Sequence, residues 1–297
     1  MYDRFAFGQD GHFFCKKEGE NLNQNWIVEN LNNAFSTWNG KLGELWGLVT
    51  TGPQTFKGGA VWSVMQTLHN GMVGIGYALV VLFFDISLCK NTMNFHELKR
   101  PEAAIHYFLR FVAAKALVGY GMDIMLNIFS ICNGIVTDMA NSMGGISEAM
   151  VSLPAEMQTA IENVGFLASI PLWLVTILGS LFITVLSFVM ILTVYGRFFR
   201  LYMYTALAPL PLAAFAGEST QSVGISFLKS YVGVCLEGAV IVLACVIYSA
   251  FVSTPTVASG EATTIVWSYL AETVFNMLVL VGLIKGSDRI IHEMMGL

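Results

Sequence analysis

Residues 163–196 read NVGFLASIPLWLVTILGSLFITVLSFVMILTVYG, an unbroken run without a charged side chain. A bilayer-crossing helix needs only about 20 such residues, so this run decides the fold. Arg197 and Arg200 close it, and the uncharged stretch LYMYTALAPLPLAAFAG (201–217) follows, with Pro209 and Pro211 near its centre and Glu218 at its end. The whole chain has the same character. Of its 297 residues 55% are hydrophobic and only 12% charged, at a mean hydropathy of +0.65. Soluble domains carry about 25% charged residues, so the composition is that of a lipid-embedded protein. A formal net charge of −5 leaves no basic footprint for nucleic acid.

Four more charge-poor stretches flank the central one. Together the expected spans are 60–88, 107–136, 164–195, 230–252 and 265–284. Lysine and arginine near span ends set orientation. Lys90, Lys99 and Arg100 follow the first span, Arg197 and Arg200 the third, and Lys285 and Arg289 the last, while Lys229 precedes the fourth. The linkers at 137–163 and 253–264 hold acidic residues and no basic one. These signs alternate consistently with the N-terminus outside and the C-terminus cytoplasmic. Trp62, Trp173 and Trp267 then fall at outer span ends, as an interfacial aromatic belt requires.

The expected fold is therefore all-α: a polytopic helical membrane protein with about five transmembrane helices. A broken or re-entrant segment at 201–217 and an external N-terminal amphipathic helix are added to these. Residues 1–59 form the external region and 60–297 the transmembrane domain. Arg197/Arg200 and Lys229 share one face, so 201–217 enters and leaves by that face. The alternative is a sixth, kinked span with a short return. Prolines suit a broken segment whose freed backbone groups are covered by protein or water. Within residues 25–49, Ile27, Leu31, Phe35, Trp38, Leu42, Leu45 and Val49 recur at spacings of three and four, a helical stripe suited to the outer leaflet or to a partner.

Ionisable residues inside spans are costly and point to function. Treated as one continuous helix, the second span puts Lys115, Asp123, Asn127, Ser130 and Asn133 within an arc of about 120°. That face is too polar for lipid; it lines an aqueous path or packs against another helix. Asp85 is placed to pair with Lys115, and Glu237 and Glu272 are further intramembrane charges at separate depths. The five cysteines form no CxxC pair, the histidines no ligand pair, and neither HExxH nor GxxxxGK[ST] occurs. No catalytic residue, metal site or cofactor is expected.

The run 164–195, then YGRFFRLYMYTALAPLPLAAFAGEST, then FLKSYVGVCLEGAVIVLACVIYSAF, resembles the TrbL-type polytopic subunit of type IV secretion machines. Residues 25–46, NWIVENLNNAFSTWNGKLGELW, agree in layout with the conjugal-transfer branch carried on Gram-positive mobile elements. The resemblance implies a channel or scaffold component in the inner (cytoplasmic) membrane that helps move a DNA–protein substrate during conjugation. It also implies several copies around a central path, other secretion subunits including motor ATPases as partners, membrane lipid around the spans, and transient contact with the transferred single-stranded DNA–protein substrate. The competing class is an ion-coupled secondary transporter or energy transducer, suggested by the broken segment and the buried carboxylates.

Overall fold

A computed structural model describes residues 18–92, 101–142, 150–162, 166–251 and 262–296. Lys99, Arg100, Glu148 and Glu261, on which the orientation partly rests, lie outside them. The described part is 93% helical and has no strand. Among the described residues nine α-helices follow in order: α1 Glu18–Thr50, α2 Ala60–Thr92, α3 Pro101–Gly119, α4 Gly121–Ser142, α5 Ala155–Glu162, α6 Phe166–Leu207, α7 Pro209–Ala213, α8 Gln221–Phe251 and α9 Ala262–Met295. Short 3-10 turns occupy Phe56–Gly59 and Ala214–Ala216.

Four stretches of the described residues are long and apolar enough to cross a membrane: Phe56–Lys90, Ile170–Leu207, Gln221–Phe251 and Thr264–Met295. A fifth arises if the bent pair α3–α4 is one span. The protein is an all-α, multi-pass membrane protein. Its lipid-compatible surface is plain on α6, where Leu181 and Phe182 are each 58% exposed and Leu192 is 71% exposed.

The chain divides into two compact units. The first comprises Met1–Trp38, Val151–Val185 and Thr254–Phe275; the second, Asn39–Met150, Leu186–Ser253 and Asn276–Leu297. In the first, Trp26 meets Trp173 at 5.9 Å between ring centroids, and the Asn30 side-chain amide donates to Ser180 Oγ at 3.2 Å. The Tyr269 hydroxyl donates to the Ser152 carbonyl at 3.0 Å, tying α9 to the residues before α5. In the second, Val80, Val118, Met125, Phe129, Leu212 and Val234 belong to one buried cluster drawn from α2, α3, α4, α7 and α8.

Three expectations change. The second span is not one rod: it breaks at Tyr120, and α3 and α4 are bent by 72°. Glycines on both sides of Tyr120 admit close neighbours there. A Cβ on Gly119 would lie 2.8 Å from the Tyr77 hydroxyl, and one on Gly121 3.2 Å from Leu212. Second, the stripe on α1 is not free for a leaflet or a partner. All seven of its residues, from Ile27 to Val49, are buried by the chain, none more than 2% exposed. Burying such a stripe is the main source of stability for a helix of this polarity.

Third, 201–217 is not a separate element inserted after a helix that ends near residue 195. Helix α6 runs on through Arg197 and Arg200 to Leu207 because both cations find partners inside the protein. The remainder forms α7 and a 3-10 turn packed against α2 and α3. Both prolines sit in the first turn of α7, with Pro209 at its start, the helix position that best tolerates proline. Ala208, Leu212 and Ala213 are fully buried, so the broken backbone is covered by protein.

Candidate functional site

The polar residues of α4 are set out by its helical repeat. Met125, Phe129, Cys132, Val136 and Ala140 form its buried face, and α4 packs against α8, where the Tyr231 hydroxyl donates to the Met125 carbonyl at 2.9 Å. The opposite face carries Asp123, Asn127 and Ser130, all exposed, with Asn133 half-buried at its edge. These four side chains, Leu126, Phe129 and the loop Gly52–Gln54 line a cavity of about 550 Å³. The Asn133 amide nitrogen donates to the Thr50 carbonyl at 3.3 Å, capping one of the last, unpaired carbonyls of α1. Its Oδ1 is buried and accepts no hydrogen bond among the described residues. A groove with this mainly polar lining suits water or a polar solute better than lipid tails.

Lys115 does not join the other four. It lies on α3, beyond the 72° bend, and is exposed. The expected Asp85–Lys115 pair is also absent: both side chains are exposed, and no ion pair among the described residues links them. The single continuous face holds only from Asp123 onward, because helical periodicity does not carry across a bend.

Glu237 has its counter-charge, and residue patterning missed the partner. Arg200 on α6 donates through Nη2 to both Glu237 carboxylate oxygens, at 2.7 and 2.8 Å, and through Nη1 to Asp288 on α9. The Ser287 hydroxyl also donates to Glu237, at 3.2 Å. Glu237 is only 1% exposed. One helical turn earlier on α6, fully buried Arg197 donates to the carbonyls of Val49, Cys235 and Val234 at 3.3, 3.3 and 3.4 Å. Val49 lies in the last turn of α1, where free carbonyls and the helix dipole favour a cation. Charge at a span end is ordinarily solvated, so the sequence places both arginines at a membrane face; nothing in the spacing shows which helices surround them. Glu272 is exposed on α9 and takes no part in this cluster.

Pro209 and Pro211 bring in a residue that periodicity did not single out. Pro209 has no N–H to offer the carbonyl four residues earlier, Thr205. Buried His69 on α2 donates there instead, Nδ1 to Thr205 oxygen, at 2.7 Å. Among the described residues no group of three or more His, Cys, Asp or Glu side chains could hold a metal ion.

A protein-family model described as TrbL/VirB6 plasmid conjugal transfer like protein matches residues 38–209, more than half of the chain. No curated protein and no solved structure matches it.

Proposed function

Because the chain belongs to the TrbL/VirB6 plasmid conjugal transfer family, we propose that it acts as a channel or scaffold subunit of a type IV secretion machine in the cytoplasmic membrane. In this reading several copies surround a path for a DNA–protein substrate, and partner ATPases supply the energy. The subunit itself is not an enzyme.

The observation that carries the proposal is the α4 groove. Asp123, Asn127 and Ser130 project from a helix that belongs to a bent, span-length pair, where an exposed polar face suits water or protein and not lipid. The contrast with Leu181, Phe182 and Leu192 on α6 separates a wetted surface from a lipid-facing one. The ion-coupled alternative draws less support, since Glu237 is already neutralised by Arg200 within the chain. An N-terminus outside and a cytoplasmic C-terminus accord with one further feature. Lys90, which follows the first span, and Arg110 on α3 meet neighbouring residues after α7, Ser219 and Gln221.

The test is thiol blocking during mating. After replacement of the native cysteines, Asn127→Cys and Ser130→Cys donors are treated with a bulky, impermeant thiosulfonate. Transfer is expected to fall at least tenfold, while Leu181→Cys donors, labelled in parallel, keep normal transfer. Full transfer by Asn127→Cys or Ser130→Cys donors whose new thiol is completely modified overturns the assignment of α4 to the path.

A further inference from the structure

A second cavity in the same unit, of about 420 Å³, has a different chemistry. Its floor is one face of α3: His106, Arg110, Ala113 and Leu117 recur at helical spacing, and Phe215 closes the far side. From His106 to Leu117 the groove runs about 16 Å along the helix axis. Leu109 beside it is 60% exposed, and Ile105 and Phe108 are 60% and 62% exposed. In a membrane-spanning protein such a surface is bathed in acyl chains.

The polar end of the groove is cationic and incompletely paired. Arg110 Nη2 donates to Gln221 Oε1 at 3.1 Å. Among the described residues its Nη1 has no hydrogen-bond partner. Among the described residues it pairs with the Glu218 carboxylate at 4.0 Å, beyond hydrogen-bond reach, and Glu218 is itself 63% exposed. Lys90 reaches the same turn through Ser219 Oγ at 3.4 Å, adding a second positive charge. The Arg110 side chain keeps 20% exposure where it lines the groove, and a phosphate oxygen matches a guanidinium in charge and geometry.

We propose that this groove is a binding site for one anionic phospholipid. The phosphate accepts from the Arg110 guanidinium beside His106, and one acyl chain lies along Ala113, Leu117 and Phe215. The site is set where α3 leans on the turn between α7 and α8, so a bound lipid clamps that turn. The inference rests on the membrane-spanning fold and is independent of whether α4 lines a path.

The test uses the full chain in nanodiscs of mixed phosphatidylglycerol and phosphatidylcholine, with co-purifying lipid counted by native mass spectrometry. The unmodified protein should retain phosphatidylglycerol preferentially. Arg110→Gln keeps a donor for Gln221 and removes the charge; it should lower that preference about fivefold, the effect of one cation at a membrane surface. Ala113→Trp fills the apolar trough without touching a charge and should also expel the lipid. Thermal unfolding in pure phosphatidylcholine should be the same for all three proteins, which a purely structural tie through Arg110 would not allow. Equal retention of both lipids by the unmodified protein overturns the site, as does undiminished preference in Ala113→Trp. Displacement of the lipid by millimolar glycerol phosphate would assign the pocket to a free phosphate compound and reject the lipid.

Discussion

His69 and Pro209 show how a helix break is made tolerable away from water. Leu207 ends α6, yet Ala208 keeps helical torsions, so an N–H at position 209 would aim at the Thr205 carbonyl. Proline withholds it and the imidazole supplies it. His69→Leu strands a buried carbonyl and should destabilise the protein by about 1–3 kcal/mol, read from unfolding in detergent micelles. Pro209→Ala restores a local donor. The double variant His69→Leu/Pro209→Ala should therefore be more stable than His69→Leu alone. If the second change adds a further loss, His69 is not compensating for the proline. The sequence shows the prolines plainly. It shows nothing of a histidine more than a hundred positions earlier whose ring completes the same backbone.

At the scale of helices, Arg200 joins α6 to α8 and α9 through Glu237 and Asp288. Removing one partner of a buried pair leaves the other charge uncompensated, at a cost of about 3–5 kcal/mol. Arg200→Leu, which strands buried Glu237, should lose stability on that scale, and Glu237→Leu less, because Arg200 keeps Asp288. The double change Arg200→Leu/Glu237→Leu should lose much less than the two combined, because no charge is left stranded between α6 and α8. Purely additive losses would show that the pair is not coupled. Asp85 and Lys115 serve as the comparison. Both are exposed, so neither single change should show such coupling. Hydropathy located α2, α6, α8 and α9, since each is an apolar run of its own. The 72° bend between α3 and α4 escaped it because glycine at 119 and 121 permits a turn without requiring one. The turn occurs only where Tyr77 and Leu212 come close enough to use those gaps.

For the whole molecule, the choice of which ends face the cytoplasm has a direct measurement. In intact cells, with native cysteines replaced (Cys89 is exposed and must go first), Glu148→Cys and Glu261→Cys should react with an impermeant maleimide. Lys229→Cys and Lys285→Cys should react only after permeabilisation. External labelling of the Lys229→Cys protein would require another crossing between Arg200 and α8 and would reverse the proposed orientation of the last two helices.

The chain's class was decided by composition alone: few charges, long apolar runs and no enzymatic motif place it in a bilayer as a bundle of helices, because transfer into lipid is a sum over local residues. Much of the candidate path was legible for the same reason, since Asp123, Asn127, Ser130 and Asn133 share one face of a single helix. The rest depended on which helices are neighbours. Burial of the α1 stripe, the pairing of Glu237 with Arg200, the exclusion of Lys115 from the polar face and the bond from Arg110 to Gln221 all depend on residues far apart in the chain. A periodic pattern states what a helix face prefers, but only packing decides what meets it, and the cost of an unpaired charge or carbonyl makes that choice specific.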